Sequence, residues 1–219
     1  MSDILLFVGY GETFVFAMLV IASILALAVG LERAYIFRKN SSKKISLFAA
    51  ELISLLRKRD LASAGKLVRE AGDNVYTRFA EFAIEQSRDN TEGLPDLMTG
   101  KMIEEKIFLE KRLTVLNTLG NNAPFIGLLG TVLGVIKAFH GLGTLGSTGA
   151  EVVMRSISRA LLATAAGLFI AIPVVMVNNY FSKKVKIIIQ QLDILAKEFT
   201  ASLRGRVAGS GLGRYQRGR

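Results

Sequence analysis

Three runs of this chain are long and apolar enough to cross a bilayer, and nothing else in the sequence restricts its fold so strongly. Thr13–Leu31, Leu119–Phe139 and Val152–Val177 each match the roughly 20 residues that a helix needs to traverse a hydrocarbon core about 30 Å thick. Lipid offers backbone amides no partner, so each run is read as a helix. Hydrophobic residues make up 51% of the chain and charged residues 21%, which fits membrane spans joined to a charged helical domain. The fold class that follows is an all-α integral membrane protein with three transmembrane helices, two of them extended into a cytoplasmic helical bundle.

The distribution of charge orients the spans. The formal net charge is +10, yet no Lys or Arg occurs between Met1 and Glu12 or between Gly141 and Glu151. Sixteen lie between Arg33 and Arg112, and nine more follow Asn179. Cationic loops stay in the cytoplasm, so the expected order is a periplasmic N-terminus (1–12), a span (13–31), a cytoplasmic helical domain (32–118), a span (119–140), a periplasmic loop (141–151), a span (152–178), a cytoplasmic helix extension (179–204) and a disordered basic tail (205–219). The first span ends at Glu32-Arg33 and has no basic stretch before it, so it reads as an anchor and not as a cleavable leader. The basic excess serves topology and affinity for anionic membrane lipids, and no nucleic-acid partner is expected. The chain has no cysteine, which removes disulfides, thiolate metal sites and thiol catalysis. No metal-ligand, nucleotide or Ser/His/Asp constellation is present, so no metal, no cofactor and no enzymatic activity are expected.

Between the spans, Lys43 to Lys58 carries Ile45, Phe48, Leu52 and Leu55 at helical spacing. Asp60 is placed to cap a second helix, Gly72 to end it, and Asp73 or Asn74 to open a third. Gly93 and Pro95 break the run. From about Asp96 the apolar pattern resumes and meets no breaker before Pro124, which predicts one long helix entering the bilayer. Met1 to Gly11 is read as a short interfacial turn.

The second and third spans hold residues that lipid contact does not require. Pro124, Gly127, Thr131, Gly134 and Ala138 recur at spacings of three and four, and Gly130-x-x-x-Gly134 is a close-packing pattern. Ala160, Thr164, Gly167 and Ala171 repeat the logic, with the adjacent Ala163-x-x-x-Gly167 row. Thr131 and Thr164 therefore face a packed or pore-lining surface, and Pro173 frees one backbone carbonyl. A phosphate loop is excluded because Val135 and Ile136 follow Gly134 where Lys and Ser/Thr are needed. His140, the one histidine, reads as an interfacial polar group.

The stretch Asn122-Ala-Pro-Phe-Ile-Gly-Leu-Leu-Gly-Thr-Val-Leu-Gly-Val-Ile-Lys-Ala-Phe139, with Ile157-Ser-Arg-Ala-Leu-Leu-Ala-Thr-Ala-Ala-Gly-Leu-Phe-Ile-Ala-Ile-Pro173 after it, resembles the paired signature of the MotA/TolQ/ExbB proton channel family. The similarity is strongest to the TolQ/ExbB branch. The resemblance implies a homo-oligomeric, pentameric ring in the bacterial inner membrane around a TolR/ExbD-like partner whose single span carries an aspartate. Proton flow past Thr131 and Thr164 would drive mechanical work in the cell envelope, and a TonB/TolA-like protein is a further partner the resemblance allows. A passive membrane scaffold or adaptor and a flagellar-type (MotA-like) stator subunit are the alternatives. One departure stands out. The branch commonly has glutamate where this chain has Arg159, which with Lys137 and Arg155 suggests electrostatics at the outer mouth.

A three-helix subunit is expected to leave part of its small faces for neighbouring subunits. Native mass spectrometry of the detergent-solubilised protein should therefore give a symmetric ring, and a stable monomer would contradict it.

Overall fold

A computed structural model describes residues 2–40, 43–89, 93–145 and 149–215. It contains seven helices among those residues: α1 (Ser2–Asn40), α2 (Lys43–Arg57), α3 (Leu61–Glu70), α4 (Val75–Asp89), α5 (Leu94–Glu110), α6 (Leu113–Leu145) and α7 (Gly149–Tyr215). No strand occurs among the described residues, and three helices have stretches long and apolar enough to cross a membrane, Gly9–Arg38, Leu113–Gly143 and Ala150–Leu203. The protein is an all-α membrane protein.

The chain divides into two compact units, and α1 and α7 contribute to both. Unit 1 comprises residues 1–33 and 112–181, and holds the most apolar stretches. Within it α6 and α7 run antiparallel, because Gly134 lies against Ala160, Gly130 against Ala163 and Gly120 against Val175. One face of α1 packs through Val15 and Leu19 into the same core, with Ala123, Ala163 and Ala171. Its other faces expose Phe14, Ile21, Ile24 and Leu27, the apolar surface that a lipid-facing helix presents.

Unit 2 comprises residues 34–111 and 182–219. Its core is built from Leu52 and Leu56 of α2, Phe79 and Ala83 of α4, Met98 and Leu109 of α5, and Val185, Leu192 and Phe199 of α7. Helix boundaries follow the expected chemistry. The Asp60 carboxylate accepts from Ser63 N at 3.0 Å, and hydrogen bonding from the Ser63 side chain first and its amide second holds the carboxyl pKa below the usual range. Gly72 adopts a φ of +72°, the left-handed backbone that ends a helix. Asn74 opens α4 by accepting from Tyr76 N and Thr77 N at 2.9 and 3.1 Å. Buried Asn40, the last residue of α1, accepts from Val75 N at 3.0 Å and so fixes the start of the same helix. Tyr76 donates to Gln191, and burial pushes its phenol pKa up to about 12.

Four boundaries differ from the sequence reading. The long helix expected from Asp96 is broken at Lys111-Arg112, where Arg112 takes a φ of +67° and its guanidinium pairs with Glu32 of α1. Apolar periodicity gives no sign of this, since the break comes from a left-handed residue with no Gly or Pro at the junction. The N-terminal turn is absent, because α1 is already helical at Ser2. Helix α6 runs past His140 to Leu145 and α7 begins at Gly149, so most of the expected 141–151 loop is helical and 146–148 lie outside the described residues. Lastly, α7 continues past Gly205 to Tyr215, where a disordered tail was expected. Glycine lowers helix propensity by about 1 kcal/mol but, unlike proline, blocks no backbone hydrogen bond. Residues 216–219 lie outside the described residues.

Glu105, only 3% exposed, is the buried charge of unit 2, held by Arg78 at 2.6 Å with Lys101 at 3.7 Å. Removing one partner of a buried pair leaves the other uncompensated. Glu105→Ala should therefore lower the stability of unit 2 by about 2 kcal/mol, less than a fully buried pair because Arg78 stays half-exposed and keeps Asp73. Thermal melting and trypsin sensitivity of the full-length protein in detergent measure it, and an unchanged melt would show that the pair contributes nothing.

Candidate functional site

The seam between α6 and α7 is built from residues too small to separate two backbones. A Cβ on Gly127 would lie 2.7 Å from the Ala163 carbonyl oxygen, and one on Gly167 would lie 2.6 Å from the Ala123 carbonyl oxygen. Cβ atoms added at Gly130 and Gly134 would meet the methyl groups of Ala163 and Ala160 at 2.6 and 2.5 Å. Those glycines are buried, as are Ala123, Ala138, Ala160, Ala163 and Ala171. Close approach of this kind stabilises helix pairs in lipid through dispersion, where the hydrophobic effect gives no help. The glycine rows of the small faces are thus filled within one chain, while Pro124, Thr131 and Thr164 stay half-buried and Pro173 exposed beside them.

The packed row on α6 is Ala123, Gly127, Gly130, Gly134 and Ala138, so Pro124 and Thr131 flank it, half-buried, and do not lie at its centre. On α7 the row is Ala160, Ala163, Gly167 and Ala171, with Thr164 flanking and Pro173 exposed. The two hydroxyls differ. Thr131 Oγ1 donates to its own helix at the Leu128 carbonyl, 2.6 Å away, whereas Thr164 Oγ1 is buried and has no partner. No hydrogen bond joins the two threonines, although the Thr164 backbone lies against Gly127.

At the end of unit 1 where α6 finishes and α7 begins, charges gather. Lys137 pairs with Glu12 of α1 at 2.7 Å, not with Glu151. Arg155 pairs with Glu151 at 2.7 Å along its own helix. Arg159 makes no hydrogen bond or ion pair among the described residues, and it lines a cleft of about 270 Å³ with Lys137, Glu151, Arg155 and Ser156. It also borders a narrower crevice beside Glu12, Phe16 and Gly130. His140 is half-buried near this end of α6.

Residues 71–194, more than half of the chain, match the MotA/TolQ/ExbB proton channel family, and the chain belongs to that family. Its relatives carry TolQ and ExbB names. The Tol-Pal system protein TolQ of Pseudomonas aeruginosa is 39% identical over 116 residues, 53% of this chain and 50% of the relative. The biopolymer transport protein ExbB of Neisseria gonorrhoeae is 43% identical over 91 residues, 42% of this chain and 41% of the relative. ExbB of Xanthomonas campestris pv. campestris is 36% identical over 113 residues, 52% of this chain and 45% of the relative. The chain spans about half the length of these curated relatives.

Sequence reasoning missed Glu12, because it stands one residue outside the apolar run and only the helix through it carries it to Lys137. It also missed Asn117 and Asn178, whose side chains meet across the α6–α7 seam. The signal was there: both amides interrupt apolar sequence, Asn117 near the start of α6 and Asn178 midway along α7.

The seam can be broken at a single atom. Gly167→Ala puts a methyl group against a backbone oxygen that cannot rotate away, so it should destabilise unit 1 by about 1–3 kcal/mol. Gly143→Ala, with nothing within 4 Å, is the control and should be neutral or slightly stabilising. Melting of both variants in detergent tests this, and equal melts would show that the helices are not held at contact distance.

Proposed function

We propose that the chain is a ring-forming, non-enzymatic subunit of an inner-membrane proton-driven complex of the TolQ/ExbB kind. Beside a partner with a single acid-bearing span, it would couple proton flow to work in the cell envelope. Family membership supports the class, and one observation supports the path: Thr164 keeps a buried hydroxyl unpaired in the seam, where a threonine serving only the helix would bond its own backbone as Thr131 does. A free hydroxyl can donate to a passing water or a carboxylate, which is what a proton path asks of its lining. The spacing of basic residues supports an outer N-terminus and a cytoplasmic unit 2.

A passive scaffold is the second reading, and the completeness of the α6–α7 packing favours it. The two readings diverge in one experiment. With the complex purified from native membranes and placed in liposomes, Thr164→Val should reduce proton uptake about tenfold or more while leaving assembly intact, and Thr164→Ser should restore most of it. Thr131→Val should act more weakly, because its hydroxyl already has a partner. Parental flux in Thr164→Val, or loss of assembly in both valine variants, would favour the scaffold.

A further inference from the structure

Thr131 and Thr164 have a counterpart further along the same seam. Asn117 precedes Thr131 by the same fourteen residues by which Asn178 follows Thr164. Fourteen residues are close to four helical turns, so each asparagine returns to the face of its threonine, about 21 Å along the axis. Because α6 and α7 are antiparallel, the two asparagines come level with each other, and Asn178 Nδ2 donates to Asn117 Oδ1 at 3.4 Å. Asn121 Nδ2 donates to the same oxygen at 3.3 Å.

Asn178 is 8% exposed, and its Oδ1 is buried without a partner. Asn117 and Asn121 are exposed, so the amide cluster runs from inside the packed seam to its surface. The backbones are tight here as well, with a Cβ on Gly120 falling 2.7 Å from Val175 Cγ2. A leucine at 178 would fill such a place without burying an unsatisfied acceptor, so packing alone does not account for the amide.

We infer that Asn178, with Asn117 and Asn121, forms a second polar station on the ion path, in which the Asn178 amide oxygen accepts from a water that carries the proton onward. This rests on the reading of the chain as a proton-conducting subunit. An amide does not ionise near neutral pH, so it takes no proton itself. The water's O–H donates to Oδ1, and the excess proton arrives on that water and leaves from it toward the exposed amides. Asn178 is thus a positioning residue.

The test uses the complex purified from native membranes, reconstituted in liposomes with a pH-sensitive dye. Asn178→Leu should cut proton uptake about tenfold while leaving oligomeric state unchanged and the melting temperature equal or higher. Asn178→Asp, nearly the same shape, should add to the flux–pH profile a titration step that the parent lacks. If Asn178→Leu keeps parental flux while Thr164→Val has lost it, the station is overturned and the conducting reading stands. If neither variant alters the flux, the conducting reading falls and the station with it. Should Asn178→Leu fail to assemble, Asn178→Asp decides: a profile without a new step overturns the proposal.

Discussion

Backbone contact between α6 and α7 is the constraint on which the rest of unit 1 depends. In lipid, apolar side chains gain nothing by leaving their surroundings, so helix pairing relies on dispersion and on how near the two backbones come. Gly127, Gly130, Gly134 and Gly167 let carbonyl oxygens and methyl groups occupy the volume a side chain would need. Once that distance is set, the remaining small residues follow. Ala160 and Ala163 sit where anything larger would part the helices, and α1 adds Val15 against Gly130 to close the third side.

Polar groups within this unit are consequently few and costly, and each has an identifiable place. Glu12 and Lys137 neutralise one another between α1 and α6, and Glu32, about five turns further along α1, pairs with Arg112, the residue just before α6. These pairs tether α1 to α6 at two levels. Unit 2 is organised differently. Its helices bury ordinary apolar faces, its ends are closed by Asp60 and Asn74, and the deeply buried Glu105 carboxylate is shared by two cations.

Much of this was legible in the sequence, for reasons particular residues make plain. The three spans, the amphipathic α2, the Asp60 cap and the Gly72 stop each depend on local pattern, which composition and spacing carry directly. The break at Arg112 was not legible, because it rests on a non-glycine residue in the left-handed region beside a distant glutamate. Spacing put both threonines on the small faces of their helices, but it could not show that Thr131 turns to its own carbonyl while Thr164 stays unpaired. Nor could it pair Lys137 with Glu12, since the two lie 125 residues apart and only the antiparallel course of α1 and α6 joins them.

Among the described residues, three buried oxygens without a partner, on Glu12, Thr164 and Asn178, mark the beginning, middle and end of the apolar part of unit 1. A seam selected only for helix packing has no use for the unpaired oxygens of Thr164 and Asn178, whereas Glu12 on α1 is held by Lys137 through its other carboxylate oxygen. Their succession makes sense if something polar passes along the seam and pairs with each in turn. Arg159 adds to this. A cation that forms no ion pair among the described residues, bordering the crevice beside Glu12, raises the local potential at one end of that series. A path that begins beside a positive charge admits an isolated cation poorly, and it favours protons handed over by an acidic group that the same charge can hold in place. That is the chemistry the carboxylate of the proposed partner would bring, and on the proposed reading Arg159 would hold that donor at the mouth despite its reversed sign.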